Sequence, residues 1–325
     1  MNAPDKRRVS IPPEMAGMRL DQALAELFSD FSRARLQHWI RAGQVRLDGR
    51  QPRPKDKVLG GEAVELDAVA EPQEEHAAEA IPLSIVYEDE QLLVIDKPAG
   101  LVVHPAVGNR EGTLLNALLH HAPELASVPR AGIVHRLDKD TTGLLVVART
   151  LTAQHRLVEQ LQARALKREY QAIVVGCMTA GGKVDAPLGR HAVDRKRMAV
   201  VPGRGKPAVT HYRIHERYRG HTRLRVQLET GRTHQIRVHM AHLRYPLLGD
   251  PVYGGRLRLP AGASEPLIQA LRGFRRQALH AWHLGLEHPT RGEWIEWEAE
   301  LPPDLRRIID VLRADAREGL DPTSP

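Results

Sequence analysis

The chain has 325 residues, enough for two domains, and its apolar fraction of 42% is typical of a globular protein. No apolar run approaches the roughly 20 residues that a membrane-spanning helix needs, and the N-terminal segment lacks the apolar stretch of a secretory signal, so we expect a cytoplasmic protein. Cys177 is the single cysteine. It excludes an intramolecular disulfide and a cysteine-rich zinc site, and its apolar neighbours predict a buried thiol.

The net charge of +7 is distributed unevenly along the chain. Residues 33–57 include eight basic and two acidic side chains, whereas residues 58–80 include seven acidic side chains and no lysine or arginine. Residues 187–258 include sixteen basic and four acidic side chains, and arginine predominates there. Two basic blocks separated by an acidic stretch favour two surfaces for a polyanion. Ordinary solvated faces are the alternative interpretation.

The first predicted elements form a small domain over residues 18–67. Leucines at helical spacing predict a helix in MRLDQALAELF, and a second helix, RARLQHWIRA, follows a Ser32 cap. The segments QVRLDGR and GEAVEL predict strands. On the second helix, Arg33, Gln37 and Arg41 lie four residues apart and share a face, which fits a phosphate backbone.

Residues 68–80 are acidic and lack a consistent period, which predicts a linker. A second domain follows over residues 81–315, where strands and helices alternate irregularly and indicate an α+β fold with a mixed sheet. Residues 316–325 predict a disordered tail. The predicted elements of the second domain are two strands in LSIVYEDEQLLVIDK, a helix in GTLLNALLHHA, a buried strand in GLLVVA, a helix capped by Thr152 in LTAQHRLVEQLQARA, strands in REYQAIVVG and HTRLRVQLE, and a helix in GRTHQIRVHMAHL.

A charged loop lies between two apolar segments in GIVHRLDKDTTGLLVVA, residues 132–148. Loops held by rigid strands often carry reactive groups, and Asp138 is placed to be partly desolvated. Burial raises a carboxyl pKa and a nearby cation lowers it, so a reactive Asp138 needs Arg136, Lys139 or an arginine from elsewhere beside it. The alternative is a surface turn in which Asp138 and Asp140 accept backbone hydrogen bonds.

The chain contains seventeen histidines, and His239 and His242 lie three residues apart on a predicted helix. No HExxH sequence and no cysteine pair accompanies them, so we expect no metal site. The phosphate-cradling GxxxxGK[ST] and dinucleotide-binding GxGxxG motifs are also missing from the sequence. We therefore expect chemistry that needs no cofactor.

Three long blocks carry a family resemblance: VPRAGIVHRLDKDTTG, MAVVPGRGKPAVTHYRI and LETGRTHQIRVHMAH. They resemble the RluA-type pseudouridine synthases, and residues 18–67 look like the S4 RNA-binding domain that many of these enzymes carry. The resemblance extends from about Met18 to Leu312. It implies an α+β pseudouridine synthase fold, with a mixed, largely antiparallel sheet, flanking helices and a central cleft, preceded by a small α/β S4-like domain. It also implies that no metal and no cofactor is used.

The resemblance further implies the roles of four residues. Asp138 matches the catalytic aspartate, Tyr170 the active-site tyrosine, and Arg237 the basic residue that pairs with the aspartate. Arg136 matches an arginine that enters the RNA stack where the target base leaves. Isomerising uridine breaks the N1–C1′ bond and rejoins the base through C5, and a carboxylate can assist as a nucleophile at C1′ or as a base. The alternatives are a packing role for Tyr170 and a phosphate contact for Arg237.

A substrate is implied as well: uridine of 23S (large-subunit) ribosomal RNA, in the helix 69 stem-loop. A monomeric enzyme would modify it in free RNA or in the assembling large subunit. Besides Arg33 and Arg41, we predict RNA phosphate contacts along strand 222–229 and at four basic residues, Arg190, Arg195, Lys196 and Lys206. Two alternatives stay open. One is the same chemistry on transfer RNA or another ribosomal loop, and the other is a ribosome-assembly factor that binds RNA without catalysis.

Overall fold

The computed structural model describes residues 5–28, 31, 33–68, 76–105, 108–194 and 197–318. Contacts within the chain divide it into two compact units, Met1–Glu75 and His76–Pro325. Three residues that the sequence singled out, Ser32, Arg195 and Lys196, lie outside the described residues. Within the described ranges, no helix is long and apolar enough to cross a membrane.

The first unit packs amphipathic helices against a small antiparallel sheet, and Trp39, only 2% exposed, lies in the core between them. The chain enters this sheet before residue 18, where the sequence predicted the domain to begin. The added strand reads DKRRVS and has one apolar residue, so it lacks the alternation that reveals a strand. The elements are β1 (Asp5–Ser10), a 3₁₀ turn (Pro13–Met15), α1 (Leu20–Leu27), α2 (Arg33–Arg41), β2 (Val45–Leu47) and β3 (Ala63–Ala68), with the sheet order β1-β3-β2.

The strands of the second unit form a large sheet and a small one. In chain order they are β4 (Ile85–Glu88), β5 (Leu92–Lys97), β6 (Thr142–Ala148), β7 (Lys167–Val175), β8 (Gly182–Asp185), β9 (Leu188–Arg190), β10 (Met198–Val200), β11 (Val209–Arg217), β12 (His221–Leu228), β13 (Leu279–Glu287) and β14 (Trp294–Glu298). Over the described part of the chain, β9 pairs with β10, and the large sheet has nine strands in the order β4-β5-β6-β13-β7-β12-β11-β8, with β14 beside β13. The β6–β13 pair is parallel and the other pairs are antiparallel.

Helices flank this sheet, and their boundaries differ from the prediction at two places. The fourth helix begins after Thr150, whose hydroxyl accepts the backbone N–H of Ala153, so Thr150 rather than Thr152 is the cap. The last helix continues to Glu318, three residues into the predicted tail, and the rest of that tail lies outside the described residues. The helices are α3 (Leu114–His121), α4 (Leu151–Gln162), α5 (Gln235–His242), α6 (Glu265–Gly273) and α7 (Pro303–Glu318), with 3₁₀ turns at Pro123–Ser127 and Pro129–Gly132.

Strand β6 is buried along its whole length because the sheet is covered on both faces. Leu145 and Val147 face the larger core cluster, which also contains Tyr170, whereas Leu144 and Val146 face the cluster under α4. This explains why GLLVVA reads as a continuous apolar run, and it puts the charged loop before β6 at the edge of the core.

Cys177 is exposed, so the prediction of a buried thiol was wrong. Strand β7 ends at Val175, and Gly176 turns the chain with a φ of +107°. The thiol therefore lies beyond the strand, with Sγ 3.4 Å from the carbonyl oxygen of Tyr218 and 3.2 Å from that of Arg219. An apolar run predicts burial only where the strand continues.

The C-terminal part of the predicted linker, residues 76–80, is hydrogen-bonded to the second unit. The Ala77 carbonyl accepts a hydrogen bond of 2.8 Å from Asn116 Nδ2, and Glu79 Oε1 accepts one of 2.9 Å from the N–H of Gly112. Asn116 belongs to α3, so residues 77–79 follow this helix before the sheet begins at β4. The acidic composition of the segment gave no sign of these contacts, which depend on backbone carbonyls and one carboxylate.

Candidate active site

The loop before β6 carries Asp138 to the wall of a pocket, and a buried lysine anchors it. Lys97, at the end of β5, is fully buried. Its Nζ donates to the carbonyl oxygens of Lys139 (2.9 Å), Leu101 (3.0 Å) and Pro98 (2.7 Å). Burial lowers the pKa of Lys97 to about 8, so most of the amine keeps its proton and its three donors at neutral pH. The lysine thereby fixes the backbone one residue beyond Asp138.

Helix α5 brings Arg237 to this carboxylate from 99 positions further along the chain. Arg237 Nη1 lies 3.0 Å from Asp138 Oδ2. The Asp138 side chain is 15% exposed and that of Arg237 is 5% exposed, so water screens the ion pair only weakly. At the start of the helix, Gln235 Oε1 accepts the backbone N–H of Arg232 (3.0 Å) and the Thr230 hydroxyl (2.8 Å), which fixes the turn. The site therefore offers a carboxylate with a fixed counter-ion.

Asp250 holds the opposite edge of the same guanidinium. Its buried carboxylate accepts hydrogen bonds from Arg237 Nε (2.7 Å) and Nη2 (2.8 Å), and from the N–H groups of Val252 and Tyr253. Burial by itself lowers the pKa of Arg237, but the bonds and charges of Asp250 and Asp138 outweigh it, and the pKa stands above its ordinary value. Burial raises the pKa of Asp250, yet the bonds from Arg237 bring it below its ordinary value. Both groups therefore stay charged.

Tyr170 and His234 complete the wall around Asp138. Tyr170 lies on β7 and is 6% exposed, and burial raises the pKa of its hydroxyl, which therefore stays protonated. His234, with a left-handed φ of +56°, precedes α5 and places Nε2 3.9 Å from Asp138 Oδ1. Its Nδ1 lies 2.9 Å from the Tyr253 hydroxyl, and burial lowers the pKa of the ring, which is neutral at neutral pH.

These side chains line a cavity of about 900 Å³, which is large enough for a nucleotide. Arg136 lies exposed in the cavity wall, two residues before Asp138. Burial lowers the pKa of His135 to about 3, and its Nε2 accepts the backbone N–H of Val146 (3.1 Å), so Nδ1 carries the ring proton. The structure thus brings together Asp138, Tyr170, Arg237 and Arg136, the four residues that the resemblance assigned to the active site.

Asp250 and Lys97 were not among the predicted site residues, although the sequence around each contains a signal. Asp250 is one of only four acidic residues among the sixteen basic ones of residues 187–258, and an isolated carboxylate in a basic stretch indicates a structural counter-ion. Lys97 ends an apolar strand in a Lys-Pro-x-Gly corner. A lysine at the end of a buried strand is unusual, since lysines are seldom fully buried without partners.

Of the two histidines that suggested a metal, His239 is bound within the core and His242 is exposed. His239 Nδ1 lies 2.8 Å from the Thr210 hydroxyl and its Nε2 lies 2.9 Å from the Ala186 carbonyl oxygen. Among the described residues, no group of three or more His, Cys, Asp and Glu side chains is placed to hold a metal ion. We assign His239 a packing role in α5.

Arg190 and Lys206, predicted to contact RNA, are exposed and do not line the cavity. Arg190 ends β9, and the β9–β10 sheet packs on α5 through Leu188 and Val238. Lys206 lies beside Leu188 through a backbone bridge. These two basic side chains therefore belong to a layer next to the active-site helix, and their contact with RNA stays a prediction.

Two other arginines expected to contact phosphates are held within the protein. Arg33 Nη2 lies 2.9 Å from the buried carboxylate of Asp21. An RNA phosphate that binds Arg33 would therefore compete with Asp21 for the same guanidinium. Arg223, on β12, is 7% exposed, bonds to Gln171 and lies 3.6 Å from Glu216. Acceptors on the neighbouring strands cover it, so the expectation that this face of the strand contacts phosphates was wrong for Arg223.

The sheet and the pocket around Asp138, Tyr170 and Arg237 define the class of this protein. The family described as RNA pseudouridylate synthase matches residues 91–242, and the S4 domain family matches residues 18–64. The chain belongs to the RNA pseudouridylate synthase family and is an isomerase. The predicted family and the predicted α+β fold with a front S4-like unit are thereby confirmed.

Its relatives include proteins named Ribosomal large subunit pseudouridine synthase D. The chain is 59% identical to the one from Yersinia pestis over 313 residues, covering 96% of each chain. It is 59% identical to the one from Pseudomonas aeruginosa over 310 residues, covering 95% of this chain and 97% of the relative. The solved structure of Human RNA Pseudouridylate Synthase Domain Containing 4 is 28% identical with a TM-score of 0.56, covering 71% of this chain and 93% of that one.

Proposed function

We propose that this protein isomerises uridine to pseudouridine in large-subunit ribosomal RNA. The chemistry is supported above all by the 3.0 Å ion pair of Asp138 and Arg237 in the wall of a nucleotide-sized cavity. The substrate is supported by the names of relatives that are 59% identical over 96% of the chain. We also expect the enzyme to act as a monomer in the cytoplasm, which size-exclusion chromatography with light scattering and cell fractionation would test.

The reaction keeps the base and the ribose in one pocket. The N1–C1′ bond breaks and a C5–C1′ bond forms, while C5 loses a proton to solvent and N1 gains one. Asp138 acts at C1′ as a nucleophile or assists elimination as a base, and both routes need the charge that Arg237 stabilises. Tyr170 stacks on the flipped uracil. Arg136 fills the gap that the base leaves in the RNA stack, which offsets part of the cost of flipping.

Replacing the carboxylate tests this chemistry directly. We expect Asp138→Asn, which keeps the shape and removes the charge, to lower tritium release from RNA containing [5-³H]uridine by at least about 10³-fold. Asp140→Asn is the matched control, since it removes a charge from the same loop and should leave the rate within about twofold of the wild-type rate. Isomerisation by Asp138→Asn at the wild-type rate would refute the role of Asp138.

The target position follows from the family resemblance, and we propose the helix 69 stem-loop. Carbodiimide-dependent primer stops, mapped in cells with and without this protein, should disappear there when the protein is absent. Loss of stops from transfer RNA or another ribosomal loop would support the alternative substrate instead. Unchanged stops in all RNAs, together with RNA binding, would indicate an assembly factor without catalysis.

A further inference from the structure

Arg168 is a buried arginine beside the catalytic tyrosine. It lies on β7 two residues before Tyr170, so the two side chains project from the same face of the strand. Arg168 is 7% exposed and Tyr170 is 6% exposed, and both line the cavity that contains Asp138. The guanidinium is therefore part of the inner wall of the pocket.

Arg168 has no counter-ion among the residues that the structure describes. Across the described residues it forms no ion pair and no side-chain hydrogen bond, and its Nε is buried without a partner. Two other arginines of the pocket have carboxylate partners: Arg237 is shared by two carboxylates, and Arg164 lies 2.7 Å from Glu229. A buried charge without a partner is strongly unfavourable in a folded protein, so its presence in a pocket indicates a ligand that supplies the missing acceptor.

The surrounding residues leave room for this guanidinium and do not neutralise it. A Cβ atom at Gly231 would lie 2.8 Å from Arg168 Nη1, so glycine at this position makes the space for the arginine. His135 cannot neutralise the guanidinium, because an imidazole is either neutral or positively charged, and burial together with the charge of Arg168 lowers its pKa and keeps it neutral. The arginine is thus accommodated sterically, and its charge is left for something that enters the cavity.

We propose that Arg168 binds a carbonyl oxygen of the uracil flipped into the pocket and stabilises the negative charge on the detached base. This inference rests on the proposed function. When the N1–C1′ bond breaks, its electron pair stays on the base and spreads over N1, O2 and O4. The pair is used again when C5 bonds to C1′, C5 releases its proton and N1 takes one up. A guanidinium only donates hydrogen bonds, so it complements these oxygens, and its contact strengthens as charge develops.

The position of Arg168 favours the base over a backbone phosphate as its ligand. RNA phosphates keep contact with water, and the exposed Arg130 and Arg232 of the same pocket are available to them. Arg168 instead is as fully buried as Tyr170, on whose ring the flipped base stacks. Arg168 therefore binds the base, and exposed side chains bind the phosphates.

The test compares Arg168→Met and Arg168→Lys with the wild-type chain on RNA that contains helix 69. We expect the single-turnover rate of Arg168→Met to fall about 10²-fold, as for the loss of one donor to a developing oxyanion, with partial recovery in Arg168→Lys. The salt dependence of RNA binding should not change. The melting temperature should stay the same or rise, by roughly 2–4 °C, because an unpaired buried charge is removed.

Arg313→Met is the matched control, since Arg313 pairs with Glu216 outside the cavity. It should lower the melting temperature and leave the single-turnover rate unchanged. An unchanged rate in Arg168→Met, or a lower melting temperature, would show a structural arginine and overturn the proposal. A salt slope reduced by roughly 0.7–0.9 would show a phosphate contact and overturn it as well. Absence of product with the wild-type chain would instead refute the proposed function.

Discussion

Arg237 is tied to the buried carboxylate of Asp250 by two hydrogen bonds, of 2.7 Å from Nε and 2.8 Å from Nη2. This leaves Nη1 as the nitrogen that reaches Asp138, at 3.0 Å. Because the first two bonds fix the plane of the guanidinium, they also fix where the third donor points. Asp250 thus positions the counter-ion of Asp138, the carboxylate that we propose to be catalytic.

Asp250→Asn should therefore lower kcat more than it raises KM. An amide holds the guanidinium less firmly, and a small misplacement of a catalytic group can lower the rate about 10²-fold. Breaking a buried pair should also lower the free energy of unfolding by about 3 kcal/mol. Steady-state kinetics below the melting temperature, with denaturant unfolding in parallel, measure both effects.

Glu216→Gln is the control for that variant, because Glu216 accepts two hydrogen bonds from Arg313, of 2.7 and 2.9 Å, away from the cavity. It should lower stability and leave kcat unchanged. An equal loss of kcat in both variants would mean that general destabilisation, rather than the orientation of Arg237, accounts for the effect of Asp250→Asn.

Tyr170→Phe separates stacking by the ring from proton transfer by the hydroxyl, a further role that a tyrosine at this position could have. The ring remains available for stacking, so the dissociation constant for RNA should stay within about twofold, while loss of a proton-transferring hydroxyl should lower the rate about 10²-fold. Burial raises the pKa of Tyr170 above its ordinary value, so the wild-type rate should show no decline from this group between pH 7 and about 9. Tyr218→Phe, which removes a buried hydroxyl bound to Glu216, is the control. A wild-type rate in Tyr170→Phe would leave only the ring as functional.

Arg41 and Arg33 should respond differently in RNA binding. Arg41 is exposed, so Arg41→Gln should flatten the plot of log K against log salt by roughly 0.7–0.9 for the loss of one phosphate contact. Arg33 is held by Asp21, so Arg33→Gln should mainly lower stability. Binding measured between 50 and 300 mM salt distinguishes them. Equal slopes for wild type and Arg41→Gln would mean that this helix face does not touch the RNA backbone.

Asp21 makes the stability of the first unit depend on pH in the acid range. Burial raises its pKa, but hydrogen bonds from Arg19, Arg33 and Gln37 outweigh burial and bring the pKa to about 2. The folded-state pKa lies below the ordinary value of 3.8, so the stabilisation is complete above pH 4 and is lost as the pH falls towards 2. It amounts to about 1–2 kcal/mol after allowance for the half-exposed arginines.

Hydrogen exchange of peptides from α1 and α2 measures this effect, once corrected for the intrinsic pH dependence of exchange. Protection should fall between pH 4 and pH 2.5 in the wild-type chain, and Asp21→Asn should show low protection throughout. Asp56→Asn is the control, since its exposed carboxylate only accepts a local backbone bond from Arg53. An identical acid response in wild type and Asp21→Asn would assign the loss to other groups.

The sequence by itself determined the local elements with clean periodicity and the family. Strand β12 and helix α5 lie where alternation and the HQIR block predicted them, because backbone geometry fixes which neighbours share a face. The charged loop before β6 pointed to Asp138, since apolar flanks require the charges between them to lie at the surface of the core. Strand β1 was not predicted, because its charged residues do not alternate with apolar residues.

Only the tertiary structure decided which distant residues meet. The parallel pairing of β6 with β13 joins residues 138 positions apart, at Thr142 and His280, and the approach of α5 gives Asp138 its arginine. Local spacing carries no information about such pairings, because they depend on how sheet and helices pack as a whole. For the same reason, Arg168, which has no counter-ion in the described part of the chain, and Arg33, which is held by Asp21, look alike in the sequence.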